Sequence, residues 1–488
     1  MTRNLKGSIT IFATLSLMLI AAFLFMLLEA ARGAKMRQIV EINTESVLES
    51  VFAGYENTLW ETYHLLAFDG FGTEETPFLL LKAETEALSN ENLEPVALGY
   101  GGSSHNLLQM RVADVAFGSY RYLTDDNGKA FEAAVAAYMK NGVLPGVAQL
   151  LYGEYEAVSG LMEDSAGSES AITDAYTALE DESVAPSVLD VEENPLDVAG
   201  NLKNTGILDL VIQDTSQISQ STINLQGTVS HRTLNAGTCS SAPDTGWLDY
   251  VLLQQYLTRY MGDYVDVKAN RALSYELEYL LCGNNSDVEN LKGTVNRLLL
   301  LREAANLAYL AMDAEKQSEA LAIATALAGI TANPAIVEVV KWGILAAWAY
   351  AESVMDVRTL LDGGKIPLVK NSALWTADLQ GLTTCITSFG KAKSSEAGLD
   401  YSSYVGLLLF FQGEQSLAFR GMDLIEAAVQ KQEGNSSFRM DHMVIDAELR
   451  MTYEYRTIFL GMESLTEGKD GYRMISDTAT YSYRRAGV

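Results

Sequence analysis

The sequence predicts an α+β fold with helix dominant: an N-terminal transmembrane helix continuing into a long helix, then a helix-dominated extracellular region with a small antiparallel sheet. Three observations carry this. Residues 8–28 (SITIFATLSLMLIAAFLFMLL) contain no charge, and at about 1.5 Å per residue such a run crosses a hydrocarbon core about 30 Å thick. The middle of the chain repeats apolar residues at spacings of three and four, the period of a helix face. Near the C-terminus the period drops to two. Ala447, Leu449, Met451, Tyr453 and Tyr455 alternate with Glu448, Arg450, Thr452, Glu454 and Arg456, as in a half-buried strand.

Within the apolar run, the anchoring side chains are Ile9, Ile11, Phe12, Leu15, Leu17, Leu19, Ile20, Phe23, Phe25 and Leu28. A cleaved secretory signal has a shorter apolar core, about 7–15 residues, with a small-residue cut site behind it. Ala31 and Gly33 imitate that site, but the length of the run and the charged Glu29 and Arg32 favour a retained anchor. Arg3 and Lys6 lie before the run and Arg32, Lys35 and Arg37 after it, so the positive-inside rule is nearly balanced. Residues 1–7 are expected to form a short cytoplasmic leader, with everything beyond residue 28 outside the membrane. The nearest rival span, residues 336–355, carries Glu338, Lys341 and Glu352. Each is costly in lipid, which predicts a buried core helix instead.

Apolar residues continue at helical spacing through Met36, Val40, Val47, Val51, Tyr55 and Leu59. This predicts one rod from residue 8 to about 66, ended by the FDGFG run at 68–72. Residues 109–117 read as a strand, followed by a helix through Phe131, Val135 and Tyr138 that Asp125 or Asp126 caps. No Lys or Arg lies between Lys140 and Lys203 while acids accumulate. Residues 163–200 are therefore expected to be a solvated acidic linker between a strand-containing region (29–162) and a helical bundle region (201–440). Within the bundle, 214–244 reads as loops and 249–281, 287–330, 334–361 and 401–431 as helices, with Asn333 and Pro334 opening the third. Residues 441–488 form a β-hairpin turning near 467–471 and completing the sheet.

The 488 residues suffice for two or three packed units, and the net charge of -29 excludes nucleic acid as a partner. Cys239, Cys282 and Cys385 match no metal spacing and read chiefly as buried thiols, with Cys239 and Cys282 the pair to test for a bridge. His64, His105, His231 and His442 form no close ligand pair. Asp441-His442 with Asp446 reads as surface hydrogen bonding, the 125–128 run as capping and not a calcium loop, and the glycines at 99–102 as a loop. Tyrosines such as Tyr453 and Tyr481 fall on strand faces, where packing accounts for them. No catalytic, cofactor or metal site is expected, and the chain does not read as an enzyme.

Three blocks carry a family resemblance: KGSITIFATLSLMLI with LLEAARGAKMR at the start, residues 277–310 (LEYLLCGNNSDVENLKGTVNRLLLLREAANLAYL), and residues 333–368 (NPAIVEVVKWGILAAWAYAESVMDVRTLLDGGKIPL). Together they resemble uncharacterised surface proteins of Gram-positive bacteria encoded near tight-adherence (Tad) pilus genes. The resemblance implies a helix-led, pilin-like or pilus-associated envelope protein, with membrane lipid and other pilus or envelope proteins as partners. In Tad-type minor pilins a prepilin peptidase cuts after a Gly just before the apolar run, which here lies between Gly7 and Ser8. The Glu that usually stands five residues into the mature helix, and is thought to neutralise a neighbour's terminal amine, is Phe12 in this chain. The expected role is a non-enzymatic component or assembly factor of a Tad-type pilus. The alternative is an anchored cell-surface adhesin outside any filament.

Overall fold

The structure is a computed structural model that describes residues 5–72, 76–94, 108–140, 158–160, 166–181, 194–203, 205–458 and 472–484. The glycines at 99–102, His105 and the 467–471 turn lie outside them. The chain divides into two units, not into the successive regions expected: one comprises residues 1–138, 234–244 and 439–488, the other residues 139–233 and 245–438.

The first unit is built on one antiparallel sheet. Helix α1 (Leu5–Ala53) leads, followed by α2 (Asn57–Tyr63), β1 (Phe68–Asp69), α3 (Leu79–Leu93), β2 (Met110–Tyr122) and α4 (Lys129–Lys140); the C-terminal part returns as β3 (Met443–Arg456) and β4 (Tyr472–Ser482). β3 is central, pairing with β2 along one edge and with β1 and β4 along the other. Its alternation is as expected: Ala447, Leu449, Met451 and Tyr453 are buried and Arg450 and Arg456 exposed. β2 is longer than the 109–117 strand, and its register slips between Val112 and Asp114 and between Phe117 and Tyr120. Such bulges re-aim side chains, and at the first slip Ala113 and Asp114 are both exposed, which breaks the alternation.

The rod is shorter than expected. α1 stops at Ala53, Gly54 and Tyr55 leave the helical path, and the Glu56 carboxylate accepts from Thr58 N at 3.2 Å to open α2 separately. FDGFG does not end a helix. Phe68 and Asp69 form β1, and Gly70 passes so near β3 that a Cβ there would lie 2.8 Å from Val444 Cγ2.

The second unit is helical: α5 (Ala166–Asp181), α6 (Pro195–Lys203), α7 (Ile207–Val211), α8 (Trp247–Tyr260), α9 (Glu276–Cys282), α10 (Asp287–Met312), α11 (Ala314–Ala328), α12 (Pro334–Leu361), α13 (Leu382–Thr387), α14 (Tyr401–Leu409) and α15 (Glu414–Gln430). α12 is its axis. Asn333 Oδ1 accepts from Ala335 N at 3.1 Å, Pro334 fills the first turn, and every residue from Gly343 to Leu360 is buried. The helix holding 336–355 is thus a core helix.

Three expectations are corrected in this unit. The acidic linker at 163–200 is largely helix where it is described: Ile172 and Ala175 of α5 and Leu196 and Ala199 of α6 are buried, while Asp174 stays exposed. Gly343 of α12 makes room for α5, since a Cβ there would meet Ala171 O at 3.1 Å. The run at 249–281 breaks between Tyr260 and Glu276, where Glu276 and Glu278 accept from the loop amides of Gly262 (2.8 Å) and Tyr264 (2.9 Å). The runs at 287–330 and 401–431 also break, the first at Asp313, whose carboxylate caps α11 by accepting from Glu315 N at 3.0 Å, the second after Leu409.

Candidate membrane anchor and its junction with the sheet

All ten predicted anchor side chains lie on α1 and are uncovered: Ile9, Ile11, Phe12, Leu15, Leu17, Leu19, Ile20, Phe23, Phe25 and Leu28 range from 48% to 73% exposed. Exposure of this kind surrounds the helix instead of following one face, which is the distribution that a lipid surrounding would match. One hydroxyl within it is turned back onto the helix. Thr14 Oγ1 donates to the carbonyls of Thr10 (3.0 Å) and Ile11 (2.9 Å), the satisfaction that a hydroxyl needs where water is absent. The helix is long and apolar enough to cross a membrane. Gly7 and Ser8, the candidate leader-peptidase site, fall in its first turns.

The first charged pair beyond the apolar run fastens the helix to the sheet. Arg32 Nη1 donates to Glu29 Oε1 at 2.7 Å, while its Nη2 donates to the carbonyls of Leu108 (2.6 Å) and Arg456 (2.8 Å), at the start of β2 and the end of β3. Glu29 Oε2 in turn accepts from Ile458 N at 3.3 Å. Glu29 is only 7% exposed, so a charge that sequence places at the membrane edge is held by the sheet unit.

Beyond this clasp, Met36, Val40, Val47, Leu48 and Phe52 bury against the sheet core with Val112, Leu449, Met451 and Tyr453. Polar groups inside this face are matched. Asn43 Nδ2 donates to Ser89 Oγ (2.7 Å) and Tyr453 OH (3.2 Å), and Thr44 Oγ1 lies 3.1 Å from the same phenol. At the far end Phe52 packs 4.9 Å from Phe68, 4.5 Å from Tyr481 and 4.8 Å from Tyr483, ring centre to ring centre. Tyr483 OH donates to the Phe52 carbonyl, and burial pushes its phenol well above the ordinary range. α1 is therefore one helix with two environments, bare to Leu28 and packed from Met36 on.

A cavity of the sheet unit, about 540 Å³, is lined by Arg121, Cys239, Asp446, Glu448 and Arg484. Both of its arginines are spent on Asp446, at 2.7 and 2.5 Å. Asp441 and His442 are not a surface pair: Asp441 is buried and accepts from Asn235, and His442 stacks on Phe71 at 4.1 Å. Asp125 accepts from Tyr122 N and Gly237 N, which makes it a turn clamp. Sequence reading missed Ser230, whose hydroxyl lies 2.9 Å from His231 Nδ1 and 2.5 Å from Asp423 Oδ2. There the carboxylate binds the serine hydroxyl itself instead of orienting the imidazole, the reverse of a nucleophile-activating order. Cys239 and Cys282 are free. Among the described residues no group of three or more His, Cys, Asp or Glu is placed to hold a metal.

Residues 187–455, more than half of the chain, match the model of a family described as a family of unknown function (DUF5702). The match begins beyond α1 and ends within β3. No curated protein and no solved structure matches the chain.

Proposed function

The chain belongs to that family of unknown function, and from this premise we propose that it is a single-pass, membrane-anchored structural or assembly component of a Tad-type pilus. In this reading it is a minor pilin-like or accessory protein, without catalytic activity, whose bulk lies outside the cell membrane. The observation that carries the reading is the unbroken helix α1, bare over residues 9–28 and packed into a sheet from Met36 on. A continuous helix makes anchor and sheet one rigid piece, so the sheet unit is aimed by the helix and not merely tethered to it. An uncharged helix surface also serves twice. It dissolves in lipid before assembly and packs against like helices afterwards, because apolar side chains meet comparable surroundings in both.

The blocks that resemble Tad-associated surface proteins support the pilus assignment, and the acidic surface suits exposure to solvent. Covalent cross-linking of whole envelopes followed by recovery of the full chain tests the reading. Major pilin is expected among the recovered partners, and a mature N-terminus at Ser8 would place a prepilin peptidase upstream. Recovery of an anchored, surface-exposed chain without any pilin would overturn the pilus role in favour of an adhesin.

A further inference from the structure

In the helical unit one lysine is sealed among acids. Lys370 follows α12 beyond the turn at Gly363 and Gly364, and its side chain is wholly buried. Its Nζ lies 2.5 Å from Asp356 Oδ1 and pairs with Glu352 Oε1, two carboxylates one turn apart on α12 and both sealed from solvent. Asp356 is gripped from its other side: Arg302 Nε donates to Oδ2 at 3.0 Å and Asn306 Nδ2 at 2.9 Å. Oδ1, by contrast, faces the lysine nitrogen. Glu352 is oriented by the amide of Ala377, which donates to Oε2 at 2.6 Å, and burial holds its carboxyl above the ordinary range.

These are the parts of an amide-forming site. There is a nucleophilic amine, a carboxyl whose second oxygen already faces two fixed donors, and a carboxylate beside the amine to move its protons. We propose that Lys370 Nζ and Asp356 Cγ condense into an intramolecular amide in the folded protein, with Glu352 as the proton shuttle. Glu352 takes a proton from the ammonium group and frees the lone pair to attack Cγ. Arg302 and Asn306 meet the charge that develops on Oδ2. The Nζ–Cγ bond forms and the Cγ–Oδ1 bond breaks. Two of the three ammonium protons, relayed through Glu352, leave with Oδ1 as water, and the third stays on the amide nitrogen. One cation and one anion become a neutral amide and a water molecule, Glu352 ends as it began, and no oxidant or co-reactant enters.

Burial supplies the driving force. Two charges that are expensive to keep away from water are removed together, and fixed geometry replaces the entropy cost of bringing amine and acid into contact. The bond would tie the end of α12 to the segment after it, in a chain whose Cys239 and Cys282 remain free.

Peptide mapping by mass spectrometry, on the full chain purified from membranes, denatured and digested with trypsin, tests this. Asp356 and Lys370 are expected in one branched peptide, lighter by one water than its two linear parts, with no cleavage after Lys370. Lys370→Arg and Glu352→Gln should both give only linear peptides. A wild-type digest with linear peptides and cleavage after Lys370 overturns the proposal whether or not the variants fold. A branch joining Lys370 to Glu352 overturns it as well, because the acceptor would then be the residue assigned as shuttle.

Discussion

Helices α1 and α12 are both long and apolar enough to cross a membrane, yet they live in opposite surroundings. In α1 the most apolar window is entirely uncovered, while most of the corresponding window of α12 is buried inside the helical unit. What separates them is charge and what answers it. Residues 9–28 carry no charge at all. α12 carries Lys341, Glu352, Asp356 and Arg358, and each has a partner: Glu338 at 2.5 Å, Lys370, Arg302 at 3.0 Å and the Leu210 carbonyl at 2.7 Å. Apolarity alone therefore does not tell a helix where to go. A charged residue with a built partner suits a protein interior, and a long stretch with neither is suited to lipid.

The contrast can be sharpened first where buried acids have weak partners. Glu278 is held by Tyr401 and the Tyr264 amide, not by a cation, and burial pushes it up to about 8; Glu276, near Arg271, is pushed up to about 7. Folded, these groups keep protons that ordinary carboxylates of the unfolded chain have released. Their stability contribution is full below about pH 4.5 and is lost as pH rises through 7 and 8. Denaturant titrations of the helical unit between pH 5 and 9 should show a loss on the order of 5 kcal/mol. Flat stability across that window would mean that these acids are hydrated after all.

Removing one member of a sealed charge set comes next. Arg302→Ala leaves Asp356 buried with its Oδ2 short of a donor, and should cost about 3–5 kcal/mol in the same titration. A smaller loss would show that the Asn306 amide suffices for Oδ2 without Arg302. The reverse experiment puts a partnerless charge in α1: Leu19→Lys costs about 2.5–3.5 kcal/mol of insertion at mid-bilayer. The chain is expected to move from the carbonate-resistant membrane pellet to the supernatant, and undiminished retention would remove α1 from the role of anchor. The smallest effect is expected at the boundary between the two environments of α1. Arg32→Ala deletes the clasp to Glu29 and to the Leu108 and Arg456 carbonyls, at about 1.5–3 kcal/mol. Hydrogen exchange at Ile458 and the neighbouring end of β3 should quicken while the core around Tyr453 stays protected.

Much of this was legible in one dimension. The exposed part of α1 is a run without charge, β3 is an alternation, and the start of α12 is a cap followed by proline, so each depends only on neighbours in sequence. What stayed hidden depends on contacts across the fold. The acidic stretch read as a linker because its carboxylates have no Lys or Arg among them, which masks the short buried face of Ile172, Ala175, Leu196 and Ala199. Asp313 looks like any acid in a helical run until its carboxylate is seen capping α11. Glu352 was visible as a charge in an apolar helix, but Lys370 lies in a loop and bears no pattern that points back to it. Arg32 looked like a flank of the membrane run, and its carbonyl partners sit at residues 108 and 456, beyond the reach of any local pattern.

The placement of β3 sets an order of events. The face of α1 from Met36 to Phe52 leaves the ribosome before the helical unit, and the strands that cover it, β3 and β4, leave after it. Nearly all of the helical unit is synthesised in between and can close upon itself meanwhile. Until residue 483 arrives, Phe52 has neither Tyr481 nor Tyr483 against it. A newborn chain therefore carries an open apolar seam on α1 while the whole helical unit is being made, which is the interval in which a chaperone would have something to hold.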